Sequence, residues 1–197
     1  RYTDPDRHPT LRVLTYNNFG CYYRRLGKLK AAYRQLKEAV QLGARTKSGE
    51  HLAVTHLNMC AILSQKGQHE KALESAQVAV YHAQEELVSA KLKNQDSGAS
   101  EEQMLTLAMA YHNMAVELEF VGKYQLCLQW YKKAMLLVAE HKETQPHMHA
   151  NFRSSYVEVR KKIQGGVLVE KPGLATQPKS KKKHISHYLA AQRNHFS

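Results

Sequence analysis

The chain has 197 residues, 43% hydrophobic and 23% charged, a balance that excludes a disordered polypeptide and suits one domain rather than two large ones. No apolar run approaches the roughly 20 residues of a membrane-spanning helix, and Arg1 to Asp6 lack the apolar core of a secretion signal. The net charge of +12 points toward acidic partners as a class, without choosing among nucleic acid, anionic membrane and protein.

Residues 1–9 are expected to form an N-terminal extension. The first patterned segment then holds Asn18, Phe19, Gly20, Cys21, Tyr22 and Tyr23, followed by Gly27, Ala32, Leu36 and Ala39. The same offsets return in Asn58 to Leu63, Gly67, Ala72, Ala76 and Ala79, and again in Asn113 to Leu118, Gly122, Cys127, Tyr131 and Ala134. Phe19, Met59 and Met114, with Tyr23, Leu63 and Leu118 four residues on, form an apolar stripe at helical spacing. A small residue at Gly20, Cys60 and Ala115 lets a second helix approach, and Gly27, Gly67 and Gly122 suit a helix end at positive φ. Each unit is therefore predicted to be a helical hairpin, at about 13–46, 53–93 and 101–141.

Between the second and third units, Lys93 to Ala99 reads as a loop, and Ser100 with Gln103 makes a capping box opening the third. The apolar face from Ala72 to Ala90 predicts that the preceding helix runs to about Leu92. After Pro146, residues 147–163 place Met148, Phe152, Tyr156, Val159 and Ile163 at helical spacing, as expected of a capping helix closed by Gly165 and Gly166. Residues 164–197 are expected to be an extended basic tail. From Lys171 onward they hold six Lys or Arg and no Asp or Glu.

The repeated pattern of large, small, aromatic or aliphatic residues, a turn glycine and two small residues resembles the tetratricopeptide-repeat (TPR) family. It does so over about residues 10–141. The repeats depart from that family in length, with 40 residues from Phe19 to Met59 and 55 from Met59 to Met114, and in lacking its terminal proline. Similarly long repeats occur in kinesin light chains and spindle-orientation scaffolds. The resemblance implies an all-α fold, a right-handed solenoid of three hairpins plus the capping helix. It also implies a non-catalytic module that binds a partner protein's peptide or helix in a concave groove.

By the geometry of that family the groove is lined by Leu14, Asn17, Asn18, Cys21, Arg24 and Arg25, by Val54, Leu57, Asn58, Ala61, Ser64 and Gln65, and by Met109, His112, Asn113, Val116, Glu119 and Phe120. Asn18, Asn58 and Asn113 share one repeat position. An amide both donates and accepts, so a ladder of them can grip the backbone of an extended peptide; the competing explanation is that they bond neighbouring helices or face water. The resemblance thus places peptide binding on Asn17, Asn18, Arg24, Arg25, Asn58, Gln65, His112 and Asn113. Arg24 and Arg25 could form a basic entrance or a solvated face. The TPR class that clamps a chaperone's terminal carboxylate has cationic residues where this chain has Asn17, Met109 and Asn113, and asparagines where it has Cys21 and Asn58; only Asn58 matches, so that function is not expected.

Lys179, Lys181, Lys182 and Lys183 are the expected contacts of the tail. They point to the alternative of a structural component of a cytoskeletal, ciliary or microtubule assembly, held partly on an acidic surface. Nucleic acid is a weaker expectation because no aromatic platform accompanies the lysines, and a membrane partner is not expected. Gly27–Lys28 and Gly122–Lys123 lack the preceding glycine of a phosphate-binding loop, and no GxSxG or HExxH occurs, so no enzyme activity, cofactor, metal or small-molecule substrate is expected. Cys21, Cys60 and Cys127 read as packing residues of a cytoplasmic protein, since their odd number and the absence of a CxxC speak against a disulfide framework. Tyr22, Tyr23, Tyr124, Trp130 and Tyr131 are expected to pack between hairpins.

Overall fold

A computed structural model describes residues 8–46, 51–93 and 100–169. Seven α-helices account for nearly all of them: α1 (Pro9–Arg25), α2 (Leu29–Thr46), α3 (Leu52–Gln65), α4 (His69–Lys93), α5 (Glu101–Phe120), α6 (Tyr124–Ala139) and α7 (Pro146–Gln164). The described chain is all-α. None of its helices is long and apolar enough to cross a membrane. The predicted tail lies outside the described residues from 170 onward, and its first residue, Gln164, belongs to α7; the loop at 94–99 also lies outside them, and Lys93 itself belongs to α4.

Consecutive helices pair as α1 with α2, α3 with α4 and α5 with α6, and each pair is joined by a short turn that makes it an antiparallel hairpin. The turns are alike at the level of single hydrogen bonds. Gly27, Gly67 and Gly122 have φ of +70°, +66° and +76°. The amides that follow them, on Lys28, Gln68 and Lys123, donate to the carbonyls of Tyr23, Leu63 and Leu118, each at 2.9 Å. This is the Schellman closure, which satisfies helix-end carbonyls and needs a residue free of the left-handed penalty. Helix α7 ends the same way, at Gly166.

The helix starts follow equally local chemistry. Pro9 and Pro146 open α1 and α7, where a missing N–H costs nothing. Residues 1–7 of the expected N-terminal extension lie outside the described residues. Ser100 and Gln103 form the predicted capping box, each side chain bonding the other's backbone amide.

The hairpins pack in chain order, α2 against α3, α4 against α5 and α6 against α7, while α1 adjoins α3 and α3 adjoins α5. Ala32, Ala72 and Cys127 are completely buried, and Cys60 and Ala115 almost or fully so, as their small size requires at a crossing. A Cβ on Gly20 would meet Leu36 Cδ2 at 2.5 Å, so α1 and α2 touch where only hydrogen fits. Leu36, Ile62 and Leu118 are buried between helices, each worth roughly 1.5–3 kcal/mol. Phe152 of α7 enters a cluster with Ala108, Ala134 and Val138, which covers the end of the third hairpin.

The expected apolar stripe holds in two repeats of three. Met59 and Met114 are buried, whereas Phe19 is 48% exposed because α1 has no preceding hairpin against it among the described residues. Tyr22 departs from its expected packing role for the same reason, at 56% exposed. Tyr131 is buried, and Trp130 meets Tyr111 at 5.2 Å between ring centres.

Candidate functional site

The first helices of the hairpins carry the expected groove residues, and the structure divides these into two groups. Asn17 is buried, and its carbonyl oxygen accepts a 2.9 Å hydrogen bond from the Asn58 amide. This pair joins α1 to α3, so Asn17 is a core residue and not part of a ligand surface. Asn58 is partly committed to the same task. An amide has two N–H bonds and a carbonyl oxygen, so one N–H and the oxygen of Asn58 remain beyond this bond.

Asn18 is exposed and Asn113 half-buried, and neither has a hydrogen-bond partner among the described residues. The ladder of three equivalent rungs is corrected to two uncommitted amides and one that also ties helices together. Arg25, Gln65 and Phe120, the last groove position of each repeat, are all exposed, and Arg24 is half-buried. Leu57 is buried and leaves the surface, because its side chain joins the core with Leu63 and Ala76.

His112 is also turned inward. Its ring stacks on Phe152 at 4.2 Å, meets Tyr131 edge-on at 5.2 Å, and its Nε2 lies 3.2 Å from Ser155 Oγ on α7. Burial lowers its pKa to about 4, so the ring is neutral at physiological pH. It serves the junction of α5 with α7, as Asn17 serves that of α1 with α3.

A second polar cluster was missed in the sequence. Glu117 of α5 is 2% exposed, and its carboxylate lies 2.9 Å from Nδ1 of His69 at the start of α4. The His69 ring stacks on exposed Phe120, 3.9 Å between centres and nearly parallel at 8°. The signal was present: Glu117 stands at the repeat position of Tyr22 and Ile62, a carboxylate where the pattern asks for an apolar side chain. Nearby, Tyr131 donates its hydroxyl to Glu119 at 3.1 Å, and burial beside that carboxylate pushes the phenol's pKa up.

On the other side of the second hairpin, His56 of α3 stacks on His82 of α4 at 5.8 Å. Burial, reinforced by the neighbouring ring, lowers the His56 pKa to about 4; burial also lowers that of His82. The buried thiols move the other way, Cys60 and Cys127 both to about 12, through burial and then the nearby Glu117 and Glu119 carboxylates. No group of three or more His, Cys, Asp or Glu side chains able to hold a metal ion occurs among the described residues. Lys179, Lys181, Lys182 and Lys183 lie outside the described residues.

No family model matches the chain, and no curated protein matches it either.

Proposed function

We propose that the chain is a non-catalytic protein-interaction module, in which the three hairpins stack as a right-handed TPR solenoid closed by α7. The first helices α1, α3 and α5 would present their open face to an extended peptide or a helix of a partner protein. One observation carries this reading. On two helices that both adjoin α3, the repeat-equivalent amides of Asn18 and Asn113 have no side-chain partner among the described residues, while Arg25, Gln65 and Phe120 stand exposed at a second equivalent position. Unengaged amides in register can bond a peptide backbone, and the mixed charged, polar and aromatic residues beside them can set side-chain preference.

The test is a crosslinking pull-down from cell extract with the full chain, Asn18→Ala/Asn113→Ala, and a tail variant with Lys179, Lys181, Lys182 and Lys183 all changed to alanine. Peptides recovered by crosslinking to the groove are then titrated directly. Loss of two amide contacts should weaken such a peptide by roughly tenfold, at about 0.5–1.5 kcal/mol for each bond. Unchanged affinity rejects the groove. Partners lost only with the tail variant would favour an assembly component held by its basic tail.

A further inference from the structure

The same repeat positions are covered at two junctions and bare at a third. Met59 and Ile62 of α3 are buried under Ala32 and Leu36 of α2. Met114 of α5 is likewise buried in a cluster with Ala72 and Ala76 of α4, which hold the repeat positions of Ala32 and Leu36. The α1 counterparts of Met59 and Ile62 are Phe19 and Tyr22, 48% and 56% exposed. Leu11 and Leu26, 59% and 50% exposed, fall on the same helical stripe. The opposite side of α1, with Val13, Asn17 and Gly20, is the buried one. Three large apolar side chains on one face of α1, with that of the C-cap residue Leu26 in line with them, form the kind of patch that marks an interaction site.

Charge distinguishes this end of the molecule as well. Residues 8–46 contain eight Lys or Arg against the single acid Glu38, a net of +7. Residues 51–93 contain four of each sign, and residues 100–169 eight against seven. Helix α1 has no acidic residue, and Arg12 and Arg25 border its apolar stripe in helical projection.

We propose that the outer face of α1 docks an acidic amphipathic helix of another protein, in the place that α2 occupies on α3. A small residue and a leucine one turn apart on that helix would enter against Phe19 and Tyr22, as Ala32 and Leu36 do against Met59 and Ile62. Aspartates or glutamates on its flank would meet Arg25, within the net +7 of this hairpin. A second copy fits poorly, because apposing two α1 faces brings two hairpins of net +7 together.

The test uses the full chain and a labelled, roughly 20-residue helical peptide with alanine and leucine four apart along one face and glutamates on both flanks. Fluorescence anisotropy should show saturable binding that weakens between about 50 mM and about 300 mM salt and is absent for a lysine-flanked peptide. Phe19→Gln/Tyr22→Gln should reduce affinity by about tenfold or more. Leu11→Gln/Leu26→Gln should do the same, which guards against a local defect in either variant. Both pairs are exposed, so thermal melts should match the parent. Gln65→Ala/Asn113→Ala, on α3 and α5 and away from α1, should bind this peptide normally, which separates the face from the groove. Absence of saturable binding, or equal binding by parent and variants, overturns the proposal. So does a concentration-dependent dimer in sedimentation that Phe19→Gln/Tyr22→Gln abolishes, or capture of the chain by phosphatidylserine vesicles, without peptide binding, that the same variant abolishes.

Discussion

The Asn58 amide donates to the carbonyl oxygen of buried Asn17 at 2.9 Å, across 41 residues of sequence, and so ties α1 to α3 through a polar contact within an otherwise apolar junction. Removing one partner leaves the other buried without a bond. Asn58→Ala is therefore expected to cost about 1–3 kcal/mol in urea unfolding. Leucine stands at the repeat position of Asn17 in the second hairpin, as Leu57, so Asn17→Leu/Asn58→Ala should recover much of that loss. A double-mutant cycle with no coupling would show that the bond does not contribute.

Glu117 and His69 form the more costly pair. His69→Ala strands a carboxylate that is 2% exposed, and a loss of about 3 kcal/mol or more is expected. Glu117→Ile alone should be milder, and Glu117→Ile/His69→Ala close to neutral, since isoleucine fills this position as Ile62. Thermal melts of the three variants decide the order.

Stability should fall on mild acidification. His56 and His112 have folded pKa values of about 4, below the ordinary 6.5. The unfolded chain therefore binds more protons between those values, and stability is fully present above pH 6.5 and is lost as pH falls toward 4. Between pH 7.5 and pH 5 the loss is on the order of 2 kcal/mol for each ring. His56→Gln should remove that ring's share of the slope, measured as urea midpoints across that range, while His112 and His82, both also lowered by burial, keep the rest.

Two glycines should resist alanine for different reasons. At Gly27 the added Cβ meets open space, but φ is +70°, and the left-handed backbone should cost about 1–2 kcal/mol. At Gly20 the cost is steric, since the new methyl would lie 2.5 Å from Leu36 Cδ2, and about 1–3 kcal/mol is expected. Gly20→Ala/Leu36→Ala should relieve the clash while adding a cavity, so only the double variant separates the two causes.

The thiols supply a probe of local order. Cys60 and Cys127 are buried with pKa values of about 12, whereas Cys21 is partly accessible. Native protein should alkylate at Cys21 first, and all three should react in urea. Fast native labelling of Cys60 would place an opening between α3 and its neighbours.

The hairpins were legible in the sequence because their determinants are local. A glycine at a left-handed helix end, a small residue at a crossing and a proline at a first turn each act within a few residues. The assignment of groove side chains was less legible. Asn17 and Asn18 are adjacent letters about 100° apart around a helix, and only the rotation of α1 against α3 turns one inward and the other out. Phe19 and Met59 are equivalent in the repeat, yet one is exposed and one buried, because α2 covers α3 and no described helix covers that face of α1.

By itself, then, the sequence determined the helical period, the ends of the helices and their order as repeated units, since backbone preference and periodicity are short-range. The tertiary structure alone decided which polar residues are spent inside and which remain outside. That choice depends on contacts between residues 41 and 48 positions apart, as in Asn17 with Asn58 and His69 with Glu117, where the neighbour that satisfies or strands a polar group is supplied by another hairpin.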